Sequence, residues 1–241
     1  MLKEPLVVWE FQWKMKKRSK RYKEIVNLFQ KDKSYSLKEA ISILKKAGNN
    51  KFDSSVDIHF HLNVDPKKAE QMVRGTVILP HGRGRKLKIA VFAKGEQEKQ
   101  ARESGADFVG GTELIDKVSK GFLDFDCAIA TPETMKELSR LGKILGPRGL
   151  MPSPKTGTVT NDVALAIEQL RKGKVEFRVD KQSGIHLSIG KISFSEDKLL
   201  DNASAIIEAV NEACPVTVKG KYIKSVFLSL TMSPALRISF S

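Results

Sequence analysis

The chain has 241 residues, 41% of them hydrophobic, which is enough for real cores and leaves room for one large domain or two smaller ones. Its formal net charge is +14, which sets aside a disordered acidic tail and points to a polyanionic partner, nucleic acid foremost. Two cysteines far apart, with no CxxC or zinc spacing, exclude a disulfide framework and suit a reducing compartment. Cys127 in its apolar run and Cys214 before Pro215 read as small buried or half-buried side chains. No apolar run reaches the length of a membrane span, and residues 6–9, set between Glu4 and Glu10, make a poor signal peptide.

Met15 opens a second plausible start, so the first fourteen residues read as an extension outside the fold. Residues 14–23 then carry seven cations and no acid, a density attracted to phosphate and often ordered only when bound. Tyr22, Ile25, Val26 and Phe29 fall at helical spacing. Ser36 followed by Glu39 predicts a capping box, with Leu37, Ala40, Ile41 and Leu44 facing a core before Gly48 stops the helix. Over 55–64, Val56, Ile58, Phe60, Leu62 and Val64 alternate with Ser55, Asp57, His59, His61 and Asn63, the pattern of a strand with one wet face. His59 and His61 share that wet face. With no third ligand at a convincing spacing, an exposed strand face explains them better than a metal. Residues 73–79 resume strand character.

Pro80-His81-Gly82-Arg83-Gly84-Arg85 is a glycine-rich basic joint, and beyond it the rhythm changes. Strands over 87–93, 108–109 and 126–130 alternate with helices over 96–104, 113–119 and 131–145. That alternation implies right-handed crossovers and a parallel sheet covered on both faces. Thr131-Pro132-Glu133 predicts a helix start with a capping hydroxyl, proline at the first position and an acid in the first turn. The stretch 143–159 holds Gly146, Gly149 and Gly157, Pro147, Pro152 and Pro154, and Lys143, Arg148 and Lys155. Its composition suits either a phosphate-binding nest or an ordered turn. A helix over 162–170 follows.

Past Gly173 the antiparallel style returns: Val175, Phe177 and Val179, a turn at Gln182-Ser183-Gly184, then Ile185, Leu187 and Ile189. A long helix carries Leu199, Leu200, Ala203, Ile206, Ile207 and Val210, and residues 222–230 and 236–240 form the last strands. The expected fold is therefore α+β with two domains. An antiparallel-sheet α+β domain is built from both chain ends (20–80 and 173–241), with an inserted Rossmann-like three-layer α/β domain over 81–172. Residues 1–19 form a basic N-terminal extension. Residues 81–172 hold 16 cations and 12 anions, a net +4, which leaves +10 for the rest of the chain. The polyanion is expected to meet the terminal-segment domain first.

Catalytic constellations are weak. There is no GxSxG, HExxH or Walker lysine, and Gly82-Arg83-Gly84 precedes a strand rather than following one. His81 and His186 each read as solitary structural histidines in glycine-containing turns.

Several blocks carry a resemblance: KFDSSVDIH (51–59), VRGTVILPHG (73–82), AKGE (93–96), GADFVGG (105–111), FDCAIATPE (125–133), LGKILGPRGLMPSPKTGTV (141–159), KVEFRVDKQSGIH (174–186), IGKISF (189–194) and SLTMSPALRI (229–238). In this order, over residues 20–238, the chain resembles the large-subunit ribosomal protein L-one family. The resemblance implies a structural constituent of the large ribosomal subunit that binds 23S-type rRNA. It further implies a mobile stalk, assistance in releasing deacylated tRNA from the exit site, and translational repression through binding of its own mRNA. It implies a cytoplasmic ribosome, or a plastid one, with no enzymatic activity, cofactor, metal or membrane partner. The alternative is an α/β nucleotide-binding enzyme using the insert, with a phosphate loop near Lys94-Gly95-Glu96.

Carried over residue by residue, the resemblance implies RNA contacts at Lys51, Phe52, Ser55, Ser225, Thr231, Met232 and Ser233. Lys20, Arg21, Arg178, Lys181 and Lys191 are looser candidates for phosphate. An aromatic face suits base and sugar, a lysine suits phosphate, and small hydroxyls reach the 2′-OH. One departure stands out: the family's usual glycine is Ser233 here. A left-handed backbone at that position would strain a serine by about 1 kcal/mol.

Overall fold

The computed structural model describes residues 19–28, 30, 33–48, 51–218 and 220–239. The expected extension over 1–14, the cations Lys14, Lys16, Lys17 and Arg18, and Phe29 lie outside the described residues. The first helix, α1 (Lys20–Asn27), begins where Ser19 Oγ accepts a hydrogen bond from Tyr22 N. In α2 (Leu37–Ala47) the predicted capping box is present in both directions: Glu39 N donates to Ser36 Oγ at 3.3 Å and Ser36 N to Glu39 Oε2 at 3.1 Å. The Ser36 N–H holds the Glu39 carboxyl below its ordinary pKa. Ala40, Ile41, Leu44 and Ala47 are the buried stripe of this helix.

The strand β1 (Ser55–Leu62) lies in the middle of an antiparallel sheet. Counting β2 (Arg74–Ile78), β3 (Ile89–Phe92), β4 (Phe108–Gly110), β5 (Cys127–Ala130), β6 (Lys174–Arg178), β7 (Gly184–Lys191), β8 (Ile223–Leu230) and β9 (Leu236–Ile238), that sheet runs β7-β1-β8-β9. Its alternation is as the sequence predicts: Val56, Ile58, Phe60 and Leu62 are buried, while Ser55, Asp57, His59 and His61 face outward. Helices α2 and α8 (Glu196–Glu212) pack on the buried face, where Ile41, Leu44, Ala203, Ile206 and Val210 join the same core. Burying a side chain of this size stabilises by roughly 1.5–3 kcal/mol, so one covered face suffices and the other stays open.

Strands β4-β3-β5 form a parallel sheet. Ala90 and Phe92 of β3 pack with Leu114, Val118, Leu138 and Leu145 from α4 (Thr112–Ser119), α5 (Pro132–Leu138) and α6 (Gly142–Leu145). Ile89 and Val91 pack the opposite way, with Ala101 of α3 (Glu96–Glu103) and Val163, Ile167 and Leu170 of α7 (Val163–Arg171). Strand β3 is buried on both faces, which is why its sequence is a continuous apolar run.

Between the sheets the chain crosses twice, and β2 pairs antiparallel with β6 just before the crossings close up. Leu79 N donates to Gly173 O at 3.2 Å. A β-carbon on Gly173 would lie 2.6 Å from the Gly82 α-carbon, at a φ of +101°. Only glycine allows the crossings to touch in this way.

Two local expectations are corrected. The helix predicted over 131–145 is interrupted: α5 gives way to a 3-10 turn (Ser139–Leu141) before α6. Ser139 Oγ bonds back to Met135 O at 2.8 Å, and Gly142 follows, a combination that weakens a continuous helix. The Thr131 hydroxyl does not cap α5. It meets Thr134 Oγ1 at 3.1 Å, and Thr134 Oγ1 in turn lies 2.8 Å from Phe92 O, tying the helix start to β3. The stretch 143–159 leaves the end of α6 and continues as an ordered connection with a 3-10 turn at Pro154–Thr156. Ser153 O accepts from Thr156 N and Oγ1 and from Thr158 N, Ser153 N donates to Thr158 Oγ1, and Val159 bridges to Ala130.

Candidate nucleic-acid interface

Three remote segments meet at the N-terminal end of β1. Thr231 N donates to Ser55 O at 3.1 Å, and Ser55 N donates to Thr231 Oγ1 at 3.2 Å. These bonds fix the β8–β9 turn beside the start of β1. On the other flank, Asp53 receives Ser193 N at 3.2 Å and Ser193 Oγ at 2.9 Å, while Lys191 Nζ reaches Ser55 Oγ at 2.8 Å. The loop is therefore held from both sides, yet Phe52 is 52% exposed and Met232 68% exposed. Those values exclude a core-filling role for either side chain. Lys51 is exposed beside Phe52. Arg21 of α1 donates to Met232 O at 3.3 Å, which brings a cation onto the turn, and Lys20 is exposed on the same helix.

Met232 takes the left-handed backbone of this turn, at φ +72°; Ser233 does not. The strain expected at Ser233 is therefore corrected. Its side chain closes the turn: Leu230 N donates to Ser233 Oγ at 2.9 Å, and Ser233 N to Leu230 O at 2.9 Å.

The remaining candidates sit elsewhere. Ser225 faces His61 at the opposite end of the β1–β8 ladder, on the same open face as Ser55. Lys181 is exposed in the β6–β7 turn, whose Gly184 also pairs with His61. Arg178 lies opposite Arg74 and lines a cleft with Glu176 and the glycine-rich stretch, through Gly146, Gly149 and Ser153. The twelve candidates thus divide into a compact end cluster, one residue farther along the open face, and two outliers.

Sequence reasoning read the β1 part of the open face but missed most of the residues of β7 and β8 that lie beside it. His186 is not solitary: it lies opposite His59, with their Nδ1 atoms 3.0 Å apart and the rings edge to face. His59 Nε2 is 2.9 Å from Ser229 Oγ, and His186 Nε2 is 3.5 Å from Asp180. Burial, and then the neighbouring His186, lower the His59 pKa against the opposing pull of Asp57. Phe227, half-buried, sits between His59 and Arg237 in the ladder. The alternation within 222–230 marks Phe227, Ser225 and Ser229 as one face; only the register shows that His59 shares it. His81 is not solitary either, since its Nε2 pairs with Asp201 at 2.8 Å. Cys127 is half-buried, with burial raising its thiol pKa, whereas Cys214 is exposed where the chain leaves α8.

Among the described residues no group of three or more His, Cys, Asp or Glu gathers as a metal ligand set, and no helix is long and apolar enough to cross a membrane. At Lys94-Gly95-Glu96 the lysine is bound to Glu137 at 2.6 Å and Glu96 stands in the first turn of α3. An acid in that place repels a phosphate.

The sequence model of the ribosomal protein L1p/L10e family matches residues 43–234. The chain is 53% identical over 222 residues to the large ribosomal subunit protein uL1 of Onion yellows phytoplasma (strain OY-M), covering 92% of this chain and 96% of that one. It is 52% identical, over 92% of this chain and 96% of the relative, to the protein of that name from Aster yellows witches'-broom phytoplasma (strain AYWB). To the one from Phytoplasma australiense it is 51% identical, over 92% of this chain and 97% of the relative. Matched over most of its length by the family pattern and by these relatives, the chain belongs to the ribosomal protein L1p/L10e family, whose members are structural rather than enzymatic.

Proposed function

We propose that the chain is a constituent of the large ribosomal subunit in the cytoplasm and binds 23S-type rRNA through the end of the antiparallel sheet. The observation that carries this reading is the pair of exposed apolar side chains, Phe52 and Met232, on a doubly fastened end of β1 with Lys51, Lys20 and Arg21 around them. A flat aromatic face and a thioether offer stacking and packing surface to a base or sugar. The cations attract phosphate, and the hydroxyls of Ser55, Thr231 and Ser233 offer 2′-OH partners. Because the site is already fastened by main-chain bonds, RNA meets a preformed surface and little ordering entropy is lost. Ser225 extends the contact along the open face, and Lys191, Arg178 and Lys181 add phosphate contacts.

The same reading divides the chain into a terminal-segment unit, 20–80 with 173–241, and a Rossmann-like insert, 81–172, that swings about residues 79–82 and 171–174. The close glycine contact between the crossings supports a narrow hinge of this kind. On the ribosome the insert would form the mobile stalk and meet exit-site tRNA, and the rRNA site would also accept the protein's own mRNA.

Crosslinking of the protein to large-subunit rRNA, with crosslinked residues and nucleotides both mapped, tests the assignment. Crosslinks centred on Phe52 and Met232 are expected. Crosslinks confined to 81–172 would overturn it.

A further inference from the structure

The cleft between the two crossings carries positive charge that the fold does not neutralise. It has a volume of about 590 Å³ and is lined by residues 81–87 of the first crossing, Asp107, and Leu170 and Arg171 of the second. Several of its charged groups are already engaged. Arg85 pairs with Asp126 at 2.8 Å and His81 with Asp201 at 2.8 Å, and the one lining carboxylate, Asp107, receives Ile89 N at 2.9 Å. Three cations remain. Among the described residues, Arg83 and Lys86 form no ion pair, and Arg171 donates only to the neutral Gly105 carbonyl.

Arg83 is half-buried and forms no ion pair among the described residues, and a guanidinium without a counter-ion favours an anion beside it. Its flanking residues, Gly82 and Gly84, have φ of +66° and +70°. Their conformation curls the loop, and the N–H groups of Arg83 and Gly84 enter no backbone hydrogen bond among the described residues. Main-chain donors without a backbone partner and arginine side chains lining one cleft are the elements of a phosphate site.

We propose that this cleft binds a phosphate group between Arg83 of the first crossing and Arg171 of the second, with Lys86 at its mouth. The phosphate is supplied either by a free pyrophosphate-type anion or by an RNA backbone. A bound phosphate touches both crossings at once and so ties together the two segments that join the sheets. The site uses none of the residues of the RNA interface at β1, so it stands or falls separately.

Calorimetric titration of the full chain with inorganic pyrophosphate, at constant ionic strength, tests the site. The Arg83→Gln/Arg171→Gln double variant is compared with Arg148→Gln/Lys155→Gln, which removes the same charge from the exposed 143–159 stretch. Saturable binding weakened at least tenfold in the first variant and unchanged in the second is expected, with far-UV circular dichroism preserved. A parallel titration with a uridine decanucleotide separates the sources: selective weakening there, without pyrophosphate binding, identifies backbone phosphate. Should the double variant fail to fold, the exposed Lys86→Gln change gives a roughly threefold loss. Saturation by neither probe, or equal weakening in both double variants, overturns the proposal.

Discussion

Ser55 and Thr231, 176 positions apart in the chain, exchange main-chain and side-chain hydrogen bonds at the same end of the central strand. The threonine hydroxyl takes over where the β1–β8 ladder stops, satisfying an N–H that would otherwise be left without a partner. Thr231→Val keeps the shape and removes the acceptor. A loss of about 1 kcal/mol is expected in urea unfolding, together with weaker rRNA binding in a filter assay because the turn that carries Met232 loosens.

Phe52→Ala separates binding from stability. At 52% exposure the ring contributes little to the core, so the unfolding free energy should move by no more than about 0.5 kcal/mol. Loss of a base-stacking partner should weaken rRNA binding by roughly tenfold, corresponding to the 1–3 kcal/mol typical of such contacts. A large stability loss with unchanged RNA affinity would place the ring in the fold rather than the interface.

The β8–β9 turn gives opposite expectations for adjacent residues. Met232→Gly removes a side chain from a left-handed backbone and should stabilise the protein by up to about 1 kcal/mol, while rRNA binding falls. Ser233→Gly deletes the hydroxyl that accepts Leu230 N and should destabilise by about 1 kcal/mol. Urea denaturation of the two variants side by side checks the pair of signs.

Acidification should act through His59. Its pKa is lowered in the fold, first by burial and then by His186, so the unfolded chain takes up the proton before the folded one. Above the ordinary histidine value of about 6.5 both states are neutral and stability is unaffected. Stability should decline as pH falls from there toward the folded pKa. His59→Gln should flatten that decline below about pH 6.5 in thermal unfolding. Asp180, held low chiefly by the Gly184 N–H, acts in a separate window below about pH 4.

What could be read from the sequence was whatever local spacing encodes. The β1 alternation, the Ser36–Glu39 box and the buried run of β3 each follow from residues a few positions apart. The open face depends on register instead: His59 meets His186 only because β1 pairs with β7, 127 positions away, and no local pattern carries that information. The same limit applies to Ser233. The turn places its left-handed residue one position earlier, at Met232, a choice set by how the turn is anchored to Ser55. The broken helix at 139–142 was missed because apolar periodicity runs through it, while the Ser139 back-bond and Gly142 undo its continuity.

The central place of β1 also governs the order in which the molecule can be completed. Both its neighbours, β7 and β8, are made long after it, whereas β3, β4 and β5 are close in sequence and pair with each other. At about 5–20 residues per second, β1 emerges roughly 10–30 s before β8. Until β7 appears neither of its hydrogen-bonding edges has a native partner, and one edge stays unpaired until β8 follows, while the parallel sheet has everything it needs to close. A growing chain therefore holds its middle folded and its first strand waiting, and that strand is most open to aggregation during its own synthesis.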